Sequence, residues 1–95
     1  LRQLDFAEPQ PGRYPALDAA FRVIRDGGTS GAIFNAAGEI ATQAYLDKRI
    51  SFGHMGRLAL EAIDAVGISP VRSLGDVLAA DRAARRHIEG KLAIL

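Results

Sequence analysis

Cysteine is absent from all 95 residues, which excludes disulfides, thiolate metal sites and thiol catalysis together. An excess of one charge is lacking too. A net charge of +1 gives no field suited to nucleic acid or an anionic membrane. No apolar run approaches the roughly 20 residues that cross a bilayer. The opening Leu1-Arg2-Gln3-Leu4-Asp5 lacks the basic-then-apolar layout of a secretory leader. It also lacks a methionine, so the expectation is a piece cut from a longer protein. A reducing, cytoplasmic compartment fits these absences.

What is present is ordinary globular composition, with 48% hydrophobic and 24% charged residues, which argues against disorder. The length suits one domain near the lower range for a core that stands unaided. Pro9, Pro11 and Gly12 mark residues 1–14 as an extended lead-in, and Pro15 suits the first position of a helix, where a missing N–H costs nothing. Leu17, Ala20, Phe21 and Ile24 then recur on one apolar face, with Arg22 and Arg25 off it, before Gly27-Gly28 supplies a stop.

A second helix is predicted behind a Thr29 or Ser30 cap, with a stripe of Ile33, Ala37, Ile40, Ala41 and Ala44 and an end near Lys48-Arg49. Gly38 in its middle should cost about 1 kcal/mol against alanine, tolerable where another backbone packs close. A third helix follows Phe52, with Met55, Ala59, Ala62, Ile63 and Val66 inward; Gly53 and Gly56 weaken its first turn. Ser73 and Asp76 have capping-box spacing ahead of a fourth helix. Its seam is Val77, Ala80, Ala84, Ile88, Leu92 and Leu95. No strand alternation competes. The fold expected is all-α, a compact antiparallel bundle of about four helices over residues 15–95. Its many alanines imply close helix approach and a slim core. A neighbouring domain would add the burial that such a core lacks.

Candidate sites are few. Asn35 and Glu39 lie four residues apart on one helical face, about 5–6 Å between Cβ atoms. They fit a catalytic amide with a general acid or base, a solvated face, or a polar contact to another segment. The stretch Asp26–Gly31 places glycines before a helix start, where Gly28 and Thr29 amides suit a phosphate, yet it has no P-loop lysine or spacing. His54 and His87 have no partner at a metal-ligand spacing. Arg82-Ala83-Ala84-Arg85-Arg86-His87 has no interleaved aromatic and shares its helix with Asp76, Asp81 and Glu89, so it reads as a solvated face with an Arg85–Glu89 pair. No catalytic, cofactor or metal residue is assigned.

Taken in order, several segments resemble the C-terminal domain of 1-deoxy-D-xylulose-5-phosphate reductoisomerase. They are Leu4-Asp5-Phe6, Pro9, Arg13-Tyr14-Pro15-Ala16-Leu17, Gly27-Gly28, Asn35-Ala36-Ala37-Gly38-Glu39 and Ser73 through Asp81 with Ala84-Arg85. The family's Asn-Ala-Ala-Asn-Glu helix is matched except at Gly38, and Gly53-His54-Met55 stands where the family often has an acidic residue. The resemblance implies a parent enzyme that rearranges and reduces its sugar phosphate with NADPH and a divalent cation (Mg or Mn) in non-mevalonate isoprenoid synthesis. It implies a homodimeric parent whose catalytic and NADPH-binding domains hold the chemistry. The present chain would brace them and turn over nothing alone. Asn35 and Glu39 then become an interdomain contact. The alternative is an independent helical protein-interaction module.

Overall fold

Pro15 opens the first helix as its missing N–H allows, and the chain then builds helices alone. The computed structural model describes residues 14–94; the expected lead-in over residues 1–14 falls almost wholly outside that range, as does Leu95 of the expected seam. Four helices follow in order: α1 (Pro15–Asp26), α2 (Ser30–Leu46), α3 (Phe52–Val66) and α4 (Leu74–Ala93). No strand occurs among the described residues. The all-α bundle expected from periodicity is the fold observed.

Its packing is layered. Ala16 lies against Gly56 and Arg22 pairs with Asp64, so α1 and α3 run the same way. Glu39 meets Arg85 and Arg49 meets Leu92, so α2 and α4 also run together. Consecutive helices alternate in direction, but α1 packs on α3 and α2 and does not touch α4. The pair α2–α3 therefore forms a middle layer with α1 on one side and α4 on the other. Ile33, Leu58, Ile63 and Ile88 fill the centre, and Ala36, Ala37, Ala41, Ala62 and Ala84 let the helices close around them.

Gly56 carries the closest helix approach. A Cβ there would meet the backbone nitrogen of Ala16 and lie 3.0 Å from its Cα, so only glycine lets α1 sit down on α3. The residue expected to weaken α3 instead seats α1 on it. At Gly38, where a close backbone would have made the glycine tolerable, nothing lies within 4 Å of the corresponding point.

The helix ends differ from the sequence expectations in informative ways. Thr29 precedes α2, yet its side chain makes no cap; Oγ1 accepts from the Ser69 N–H at 2.9 Å. Helix α2 stops at Leu46, short of Lys48-Arg49. Lys48 takes φ 62°, its N–H donates to the Tyr45 carbonyl and that of Arg49 to the Ala44 carbonyl, both at 2.9 Å. This is a Schellman closure with lysine at the left-handed position where glycine is preferred. Arg49 then serves the wrong helix, from the standpoint of the sequence: its guanidinium donates to the Leu92 carbonyl at 2.7 Å, near the end of α4. Ser51 caps α3 by accepting from the His54 N–H at 3.2 Å. Asp76, one methylene shorter than the usual Glu, does not close the box on Ser73. It accepts from the Arg72 N–H at 2.9 Å.

Helix α1 turns its apolar face outward. The face of Leu17, Ala20, Phe21 and Ile24 does not enter the core; Phe21 is 53% and Ile24 78% exposed. Ala19 and Val23 face inward instead. A stripe shows which residues share a face but not which side the neighbours take. Here the close Gly56–Ala16 contact decides it.

Candidate functional site

Asn35 and Glu39 sit on the exposed side of α2, opposite Ala36, Ala37 and Ala41 in the core. Helical spacing puts them together, as the sequence implied. The structure adds a third participant. Arg85 of α4 donates from Nη2 to Glu39 Oε2 at 3.1 Å and from Nε to Asp81 Oδ2 at 2.9 Å. The two carboxylates raise the Arg85 guanidinium further above its already high value, with the Asp81 hydrogen bond the larger cause and that of Glu39 second. Glu39 stays 65% exposed at its side chain, so the pair is a surface tie and not a buried one.

The expected Arg85–Glu89 pair gives way to Asp81–Arg85 and Glu39–Arg85. Asp81 precedes Arg85 by four residues, the order that the helix dipole and side-chain direction favour, whereas Glu89 follows it. That signal was in the sequence. The reach of Arg85 to Glu39 across 46 positions carries no sequence signal of its own.

Glu39 also borders two open depressions. One runs between α2 and α4, about 570 Å³, past Gln43, Asp47, Arg49, Arg85 and Glu89. Its volume is ample for a small ligand. Several of its polar groups, however, are engaged: Gln43 Nε2 donates to Asp47 Oδ1 at 3.1 Å, Arg49 to the Leu92 carbonyl and Arg85 to Glu39. The other depression lies over Gly38, walled by Phe34 and Thr42 with Asn35 and Glu39 at its rim. Here the missing side chain leaves helix backbone open between an apolar wall and hydrogen-bonding groups. Nothing converges on a point where a substrate atom would react. The arrangement suits a contact with another polypeptide surface better than general acid–base work.

The glycine turn before α2 is committed to the fold. Gly27 and Gly28 have φ 60° and 55°, and Gly28 presses on the Ser69 carbonyl so closely that a Cβ would collide with it. The Thr29 N–H donates to that carbonyl at 2.9 Å and the Ser30 N–H to the Gly27 carbonyl at 3.1 Å. The Ser30 hydroxyl also donates to the Gly27 carbonyl. Thr29 and Ser30 are buried, and their amides are spoken for before any phosphate arrives. His54 and His87 lie on different helices, both half-buried, and among the described residues no three His, Asp or Glu side chains gather into a metal-binding group.

On the far side, Asp26 accepts from Arg25 at 2.7 and 3.0 Å and lies 3.8 Å from Arg22 Nε. The Arg25 hydrogen bonds, ahead of the charges of Arg25 and Arg22, hold the Asp26 carboxyl below its usual value. Arg22 in turn pairs with Asp64 on α3.

Comparison with known proteins bears on the whole chain. Residues 1–87 match the family described as the DXP reductoisomerase C-terminal domain. The chain is 42% identical over 92 residues to the 1-deoxy-D-xylulose 5-phosphate reductoisomerase of Dechloromonas aromatica, covering 97% of this chain and 23% of that protein. Against the Ralstonia nicotianae protein of the same name it is 40% identical over 90 residues, covering 95% and 23%. Against that of Zymomonas mobilis it is 42% identical over 85 residues, covering 90% and 22%. The chain thus spans less than a quarter of the length of these curated relatives.

Proposed function

The chain belongs to the DXP reductoisomerase C-terminal domain family, and we propose that it braces the catalytic part of a parent reductoisomerase. The parent would rearrange and reduce 1-deoxy-D-xylulose 5-phosphate with NADPH and a divalent cation, feeding non-mevalonate isoprenoid synthesis. The single observation that carries this reading is similarity over nearly all of the chain to a minor part of each relative. It does not favour an independent interaction module.

Residues 15–95 act as the helical domain, and residues 1–14 link it to the rest. The described residues offer neither NADPH nor a metal a fitting site: the Gly27, Thr29 and Ser30 amides of the glycine turn are taken by carbonyls and no carboxylate cluster forms. No chemical step is therefore assigned to this chain. Its partners are the catalytic and NADPH-binding domains, in a cytoplasmic homodimer. No helix among the described residues is long and apolar enough to cross a membrane.

Asn35 and Glu39 meet a neighbouring domain in this reading. Support comes from the open ground over Gly38 beside them and from the exposure of both side chains. Oxidation of NADPH with substrate and magnesium, followed at 340 nm, tests the assignment: the parent turns over and the 95-residue chain does not. Turnover by the short chain would overturn it. Glu39→Ala in the parent should lower the melting temperature before it changes kcat; lost turnover at an unchanged Tm would make Glu39 catalytic.

A further inference from the structure

The apolar stripe of α1 is inside out. Tyr14, Leu17, Phe21 and Ile24 follow one another at spacings of three and four residues, which lines them along one side of the helix. Phe21 is 53% exposed, Ile24 78% and Tyr14 51%, while Leu17 is half-buried. The Arg22 side chain, by contrast, is only 26% exposed and is drawn towards Asp64 of α3. A helix that turns its arginine to its own domain and its phenylalanine and isoleucine to water is not arranged for that water.

We infer that this outer face of α1 is a further surface, separate from that of Asn35 and Glu39, on which the remainder of the parent polypeptide packs. The inference rests on the reading of the chain as one domain of a longer enzyme, and it names the face that the longer chain covers. Three observations choose the occupant. The curated relatives extend to more than four times the matched length, since the match covers 22–23% of them, so a large body of chain is available to cover the face. Helix α1 is an outer layer, packed on α3 and α2 alone, so one whole side of it is open to a neighbour. It is also the first helix among the described residues, and so the one next in sequence to residues 1–14, read above as the link. Other large apolar groups are exposed as well, among them Phe52 at 73%, Leu74 at 72% and Leu46 at 64%, but none of them belongs to a run of four along one helix face.

The absence of cysteine from this chain gives a clean probe. In a parent stripped of its other reactive thiols, Ile24→Cys, Phe21→Cys and, as reference, the exposed Arg82→Cys are labelled with a maleimide, native and in urea. The expected result is at least a tenfold slowing at positions 24 and 21 in the native parent, with position 82 close to its unfolded rate. Equal rates at 24, 21 and 82 would overturn the inference. Protection that disappears on dilution to monomers would assign the face to a second copy, and equal protection in the 95-residue chain would place the cover within it; either overturns it as well. Reductoisomerase turnover of the wild-type parent is read separately. Its absence would remove the functional reading and leave the labelling result standing.

Discussion

Thr29 and Ser69 hold each other by two hydrogen bonds of 2.9 Å, each residue donating its N–H to the other, one to a carbonyl and one to a hydroxyl. The clasp joins the α1–α2 turn to the α3–α4 loop. It takes the polar groups that a helix start would otherwise offer to solvent or an anion.

Removing the hydroxyl while keeping the shape tests the clasp. Thr29→Val leaves the Ser69 N–H without its acceptor beside a residue that is 3% exposed. The expected loss is about 1–3 kcal/mol in urea unfolding. Thr29→Ser keeps the acceptor and should lose clearly less.

Two glycines in helices should answer alanine in opposite directions. Gly56→Ala drives a Cβ into the Ala16 backbone and should destabilise by about 1–3 kcal/mol, as overpacking does. Gly38→Ala meets open space and should stabilise by about 0.5–1 kcal/mol through helix propensity. Both are read from unfolding midpoints of the same chain. Equal signs would contradict the packing described.

Lys48 occupies a left-handed position that glycine adopts without steric cost. Lys48→Gly should therefore raise stability by about 0.5–1 kcal/mol, less whatever entropy the unfolded chain gains. A thermal melt suffices to check it.

Asp26 gives a pH signature. Its folded carboxyl is held below the ordinary value of 3.8, first by the hydrogen bonds from Arg25. A depressed carboxyl stabilises the fold above its unfolded value and loses that contribution as pH falls through the folded one. Stability should thus decline below about pH 4, the carboxyl range. Asp26→Asn should flatten the part of the decline that Asp26 supplies. Strong salt should weaken it, because the Arg25 side chain, the main cause, is 70% exposed.

Much of this fold was legible. The stripes of α2, α3 and α4 hold many of their buried residues, though not Ala36 or Leu58, because a helix that faces neighbours on one side must repeat apolar groups about every 3.6 positions. Ile33, Ala59, Ala62, Ile63, Ala84, Ile88 and Leu92 are where the pattern puts them. Which way the apolar face of α1 turns was not legible, for a physical reason: its most apolar side is the outer one, and periodicity has no sense of inside. Gly56 looked like a helix weakness since close backbone approach leaves no trace in one sequence. At the site, the pairing of Asn35 with Glu39 follows from local spacing, whereas the tie to Arg85 depends on how α4 lies on α2. Asp81–Arg85 was available from spacing and order alone.

Because α1 does not touch α4, the domain has a layer that can lift without unpacking everything beneath it. Amide exchange should show this as two tiers of protection, with α1 opening at lower free energy than the centre around Ile33, Leu58, Ile63 and Ile88. A partner laid over α1 would pin that flap, and the two tiers should merge. The first helix would then behave as a latch between two bodies, its rigidity borrowed from both.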